Sequence, residues 1–86
     1  MNYLHYEVRA KKYNRIKVSL SGTASVRLMD PLNYHRYKLG RSVKAKDEIQ
    51  NSRAEFEVPY DGTWHVIVDL GGKRGDVKAI VDIIKE

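Results

Sequence analysis

The chain has no cysteine, two prolines, one tryptophan and one phenylalanine among its 86 residues. Without cysteine, neither disulfides nor thiolate metal sites can staple the fold, which fits a reducing compartment. Nowhere do 18 apolar residues follow one another, so the sequence offers no membrane-spanning helix. The start, MNYLHYEVRAKK, lacks the apolar run of a signal peptide. The sequence contains no internal repeat, low-complexity tract or linker. These absences predict one small, soluble, cytoplasmic domain over residues 1–86, with a thin core and a stability on the order of 5 kcal/mol.

What is present is charge, unevenly placed. The net charge is +5. Residues 1–46 hold eleven Lys and Arg against Glu7 and Asp30, whereas residues 47–86 hold five bases against nine acids. The split gives either an electrically polar surface or, where strands from the two halves alternate, cross-strand pairing of opposite charges.

The dominant period is two. Leu4, Tyr6 and Val8 alternate with Tyr3, His5, Glu7 and Arg9. Ile16, Val18 and Leu20 form a second apolar row, and Ala24, Val26 and Leu28 a third, with Ser21-Gly22 read as the turn between them. Ala54, Phe56 and Val58 make another row. Between Gly62 and Gly72, Trp64, Val66, Val68 and Leu70 share one face, and His65, Ile67 and Asp69 the other. A strand so apolar on one face and mixed on the other needs a second layer of structure over it. Gly71-Gly72 and Gly75-Asp76 mark a loop, and Val77–Ile84 a last strand with Ile80 and Ile84 on its second face, which suits a dimer or a covering loop. Residues 41–52, RSVKAKDEIQNS, permit a strand through Val43, Ala45 and Ile49 or a charged loop.

One segment breaks the period. Asp30 to Gly40 carries an N-cap residue, Pro31 at the first helical position and a terminating glycine, with Arg36 and Lys38 near the negative end of the dipole. A short helix of two or three turns is expected, docked through Leu32, Tyr34 or Leu39. The expected fold is therefore all-β: a small antiparallel β-sandwich, or a small barrel, of six or seven strands with one short helix after the third strand.

Three pieces of the chain, MNYLHYEV, VSLSGTASVRLMDPLNYHRYKLG (Val18 to Gly40) and GTWHVIVDLGG, resemble in that order the bacterial domain-of-unknown-function (DUF) family number eighteen eighty-three. The resemblance covers nearly the whole chain and implies an all-β sandwich from bacteria. It brings no activity with it. Some members of that family are joined to TIR-type signalling domains, which suits a recognition or regulatory module. Here such a domain would have to be a separate protein.

Chemistry-bearing constellations are few. His5 and His65 sit on strands opposite the main apolar side, where Asp69 would orient one of them if the strands are neighbours. No HxH, HxxxH or cysteine pair gives a zinc signature, and no GxSxG elbow presents a nucleophile. No catalytic residue, metal or cofactor is expected. The stretch Gly71 to Gly75 carries Lys73 and Arg74 at a hairpin tip able to hold an anion. The strongest candidate is the basic aromatic cluster Tyr34, Arg36, Tyr37, Lys38 and Arg41. On a helix, Tyr34, Tyr37 and Lys38 share one face. Such a face suits a protein or an anionic ligand, or else single-stranded nucleic acid through base stacking. The tyrosines would serve equally to pack the helix onto the strands. The functional expectation is a non-enzymatic binding module, with nucleic-acid binding as the rival.

Overall fold

The computed structural model describes residues 3–41, 47–70 and 77–85. Five strands and one helix follow in the order β1 (Tyr3–Ala10), β2 (Arg15–Met29), α1 (Pro31–Lys38), β3 (Asp47–Glu57), β4 (Gly62–Asp69) and β5 (Ala79–Ile84). The strands form one antiparallel sheet in the order β1-β4-β2-β3, with β5 also paired to β2.

β2 organises the sheet. Its second half, Ser25–Met29, pairs with β4, and its first half, Arg15–Leu20, pairs with β5. Its other edge pairs with β3 on both sides of an irregularity. There β2 takes five steps from Ser19 to Ala24 while β3 takes two from Arg53 to Asn51. Extra residues of this kind bend a strand and strengthen its twist. Both halves of β2 nevertheless present the same face to one core: Ile16 and Val18 from the first, Ala24, Val26 and Leu28 from the second. Trp64, Val66 and Val68 of β4, Ala54 and Phe56 of β3, and Val8 and Ala10 of β1 complete it. Trp64 is fully buried, and its indole N–H donates to the carbonyl of Tyr60 at 3.1 Å.

The structure corrects three expectations. Ser21-Gly22 is not a turn but lies inside β2. Ser21 has partners across the strand: its N–H donates to the Lys78 carbonyl and its hydroxyl accepts from the Lys78 N–H, both at 2.9 Å. These bonds carry the β2–β5 ladder past its last paired residue, so no hairpin forms. Residues 47–52 belong to β3, while 42–46 fall outside the described residues. The helix thus follows the second strand, and five strands are present among the described residues. The last strand starts at Ala79 rather than Val77, and Ile80 on it is exposed.

The helix ends as its sequence implies. Gly40 takes φ 74°, the left-handed conformation glycine adopts at low cost. The Arg41 N–H reaches the Arg36 carbonyl, and the Gly40 N–H the Tyr37 carbonyl, closing a Schellman motif. At the other end Asp30 is extended, but its carboxylate accepts from the Asn33 side-chain amide at 2.6 Å instead of capping a backbone N–H.

The uneven charge of the sequence interleaves in the sheet. Arg15 and Lys17 of β2 stand opposite Glu57 and Glu55 of β3, and Lys17 also stands opposite Asp82 of β5. Arg15 and Glu55 lie 3.3 Å apart on an exposed surface, where such a pair adds little stability.

Trp64→Ala should cost about 3–5 kcal/mol, because the cavity would open inside the main core. Urea unfolding followed by far-UV circular dichroism measures it; an unchanged midpoint would place Trp64 outside the core.

Candidate functional site

Alternation puts Tyr3, His5, Glu7 and Arg9 on the outer face of β1 and His65, Ile67 and Asp69 on the outer face of β4. The register sets Glu7 opposite His65, His5 opposite Ile67 and Tyr3 opposite Asp69. α1 covers this face. Tyr37 is buried with Met29 and Ile67, and Tyr3 and Tyr34 pack against them. β4 is therefore apolar on both sides because the core lies under one face and α1 over the other.

His5 and His65 meet on this face. His5 Nε2 and His65 Nδ1 are 2.7 Å apart. The rings are nearly coplanar, 18° apart, with centroids 5.0 Å from each other. So short a nitrogen contact at that centroid distance means the rings meet edge to edge, lone pair to N–H. Tyr34 lies flat on both, 4.0 Å from His5 and 4.4 Å from His65, and Lys38 Nζ stands 5.2 Å from the Tyr34 ring centre. One ring must donate and the other accept. A single added proton can sit on an outward nitrogen and leave this bond intact, whereas a second would set N–H against N–H. The pair is built to share a proton. Among the described residues, no group of three His, Cys, Asp or Glu side chains is placed to hold a metal ion.

Burial lowers the pKa of both imidazoles. Glu7 opposes this for His5 while Lys38 adds to it. For His65 the His5 ring and Lys38 add to burial, against Glu7 and Asp30. Burial, then the neighbouring Tyr3 hydroxyl, raises the Tyr34 phenol. The Tyr37 phenol is raised by burial and by the Asp69 carboxylate, which accepts its hydroxyl at 3.3 Å. Asp69 also lies 3.9 Å from Arg27, whose guanidinium stands 6.0 Å from the Tyr37 ring centre. Asp69 thus anchors Tyr37 and Arg27, rather than orienting a histidine.

The helix face expected to meet a ligand is the one that docks. Tyr37 is 4% exposed and offers no ring face for a base to stack upon, and half-buried Tyr34 has one ring face laid on the two imidazoles and Lys38 Nζ near its ring centre. Leu32 and Leu39, expected to dock, are 58% and 57% exposed. Spacing puts His35 and Arg36 between them on the outward face. Arg36, Lys38 and Arg41 are exposed. Lys73 and Arg74 lie outside the described residues. The approach of His5 and His65 was expected if their strands were neighbours, and β1 and β4 are; the outward leucines were the feature sequence reasoning missed. The signal for them was their seven-residue separation, two helical turns, with His35 and Arg36 between them on the same face and the two tyrosines on the other.

No helix among the described residues is long and apolar enough to cross a membrane. Residues 1–86 match the family described as "Domain of unknown function (DUF1883)". No curated protein and no solved structure matches the chain.

Tyr37→Ala should cost about 3–5 kcal/mol by emptying the space under α1. Tyr37→Phe should cost about 1 kcal/mol, the usual net worth of one hydrogen bond. Chemical denaturation separates the two. Because the folded imidazoles bind protons less readily than the unfolded ones, their contribution is complete above the unfolded pKa of about 6.5. It should be lost progressively as pH falls through that value towards the lowered folded values. Urea midpoints between pH 8 and pH 5 should therefore fall, and fall less in a His5→Gln, His65→Gln double variant.

Proposed function

The chain belongs to the family DUF1883, which assigns it no activity, and from its own residues we propose that it is a non-catalytic binding module whose contact surface is the outward face of α1. The observation that carries this reading is the pair Leu32 and Leu39, each more than half exposed and set at the two ends of one helical face. Apolar side chains of this size gain about 1.5–3 kcal/mol each on full burial, and among the described residues both stay more than half exposed. Arg36 lies between them, with Lys38 and Arg41 exposed beside it, and residues 31–41 contain no acid. The complementary surface is a protein with an apolar groove rimmed by carboxylates. Charge would steer the encounter and the leucines would hold the complex.

The docked tyrosines and the His5–His65 pair are the mount for this surface. They fix the helix on the outer side of β1 and β4. We read the curled sheet as two layers of a small sandwich, with α1 on one of them. Nucleic-acid binding through the same helix is less well supported, because the rings that would stack on bases are engaged with His5, His65, Met29 and Ile67. Bacterial origin and a cytoplasmic setting belong to the same reading, as does a role in signalling.

Leu32→Ser, Arg36→Glu and Leu39→Ser made together should leave the thermal melting midpoint nearly unchanged, since all three side chains face solvent. Immobilised wild-type protein should retain from a native lysate an acid-rich protein, identified by mass spectrometry, that the triple variant loses. Identical capture by both would refute the α1 reading, and loss of capture on nuclease treatment would transfer it to nucleic acid.

A further inference from the structure

At the end of the sheet away from α1 the sheet edge opens into a cleft of about 500 Å³ lined by Arg9, Ala10, Lys11, Asn14, Asp61, Gly62 and Lys85. Three stretches of chain converge there. Arg9 and Ala10 end β1, Gly62 begins β4 opposite Ala10, and Lys85 follows β5. The volume falls in the range of small-molecule sites.

The charge of the cleft is one-sided. Three cations line it against the single carboxylate of Asp61. Elsewhere in the sheet, Arg15 is paired with Glu55. Among the described residues Arg9, Lys11 and Lys85 make no ion pair at all. Like charges gathered around a concave surface repel one another and raise the local anion concentration.

The wall of the cleft is pre-shaped. The Asn14 side-chain oxygen accepts from the Lys11 N–H, and the Asn14 N–H donates to the Lys11 carbonyl, both at 3.0 Å. Asp61 Oδ1 accepts from the Lys12 N–H at 2.7 Å, which fastens the β1–β2 loop to the start of β4. The neighbouring Tyr13 sits at φ 73°, where side chains other than glycine are uncommon. Its N–H donates to the Val58 carbonyl and the Val58 N–H donates to the Asn14 carbonyl, which hold it there. Asn14 is buried, and its amide N–H2 has no partner among the described residues. It is a neutral donor beside the three cations.

We infer that this cleft binds a small phosphate monoester carrying hydroxyl groups, of the sugar-phosphate class. The phosphate oxygens take Arg9, Lys11 and Lys85, with Asn14 as a further donor. Asp61 keeps one oxygen on the Lys12 N–H and offers the other to a hydroxyl of the same molecule. The cleft is larger than a bare phosphate needs, and a carboxylate on its wall disfavours an anion that brings no hydroxyl. The site is independent of the α1 surface.

The test is an amide chemical-shift titration of the whole chain with ribose 5-phosphate, inorganic phosphate and ribose in parallel. Ribose 5-phosphate should shift the amides of Lys11, Asn14, Gly62 and Lys85 saturably and bind about tenfold more tightly than inorganic phosphate, a difference of one decade in Kd. Ribose alone should shift none of them. Lys11→Gln with Lys85→Gln, both exposed positions, should weaken ribose 5-phosphate about tenfold or more and leave the melting curve in place, and Asp61→Asn should narrow the gap between the two phosphates. The proposal is overturned if no saturable shift occurs with ribose 5-phosphate, if inorganic phosphate binds equally well, or if the double variant binds like the wild type.

Discussion

β2 is the constraint on which the rest of this molecule depends. Among the described residues it is the one strand that pairs with three others, β3 along one edge and β5 and β4 in turn along the other. A straight strand of fifteen residues could not keep both of its halves on one small core. The irregularity between Ser19 and Ala24 bends it, and Ile16, Val18, Ala24, Val26 and Leu28 then enclose the same apolar volume with Trp64. For a chain this short, most of the apolar side chains are committed to that single volume. Little remains to cover the outer faces, so each outer face tells something about use.

The outer face over β1 and β4 is used twice. Its inner layer is aromatic and titratable: the His5–His65 bond, the Tyr34 ring lying on it, and Tyr37 held by Asp69. These contacts fix a helix of eight residues that would not be stable alone. Its outer layer is what that helix then presents, two leucines with an arginine between. At the far end of the sheet the ends of β1 and β5 and the start of β4 bring cations together around a cleft. The excess positive charge of residues 1–46 is thus divided. Among the described residues, Arg15 and Lys17 face Glu55, Glu57 and Asp82 across strands and Arg27 lies beside Asp69, whereas Arg36, Lys38 and Arg41 gather at α1 and Arg9, Lys11 and Lys12 around the β1–β2 loop.

Much of this was legible in the sequence wherever period two ran unbroken. The inward rows of β1 and β4, the position of the helix and the left-handed Gly40 all follow from local pattern. The all-β character agrees with the five strands and single short helix among the described residues, and the family resemblance with the matched family. What was hidden has physical causes. Ser21-Gly22 has the composition of a turn, but Ser21 bonds Lys78, a residue 57 positions away that no local reading can see. The slip of pairing at Ser19 and Ala24 is an odd number of residues, so β3 changes parity: Ile49 packs on the core from an odd position, and Ala54 and Phe56 from even ones. Read by alternation, one strand looks like a strand and a loop. The helix left its docking residues open, because leucine and tyrosine both serve to dock a short helix. Only the tertiary placement of Met29 and Ile67 beneath Tyr37 shows that tyrosines took that role. His5 and His65 were visible as partners by face, but their bond depends on the β1–β4 register.

The most direct test of the account is the set of inter-strand backbone NOEs made by β2. A continuous, bent β2 predicts contacts from Val18 to Val81 and from Leu28 to Val66 in the same molecule, with none between residues 16–20 and 24–28. Ladder contacts between those two segments, as a hairpin at Ser21-Gly22 would give, would contradict it, and the placement of α1 and the cleft would fall with it.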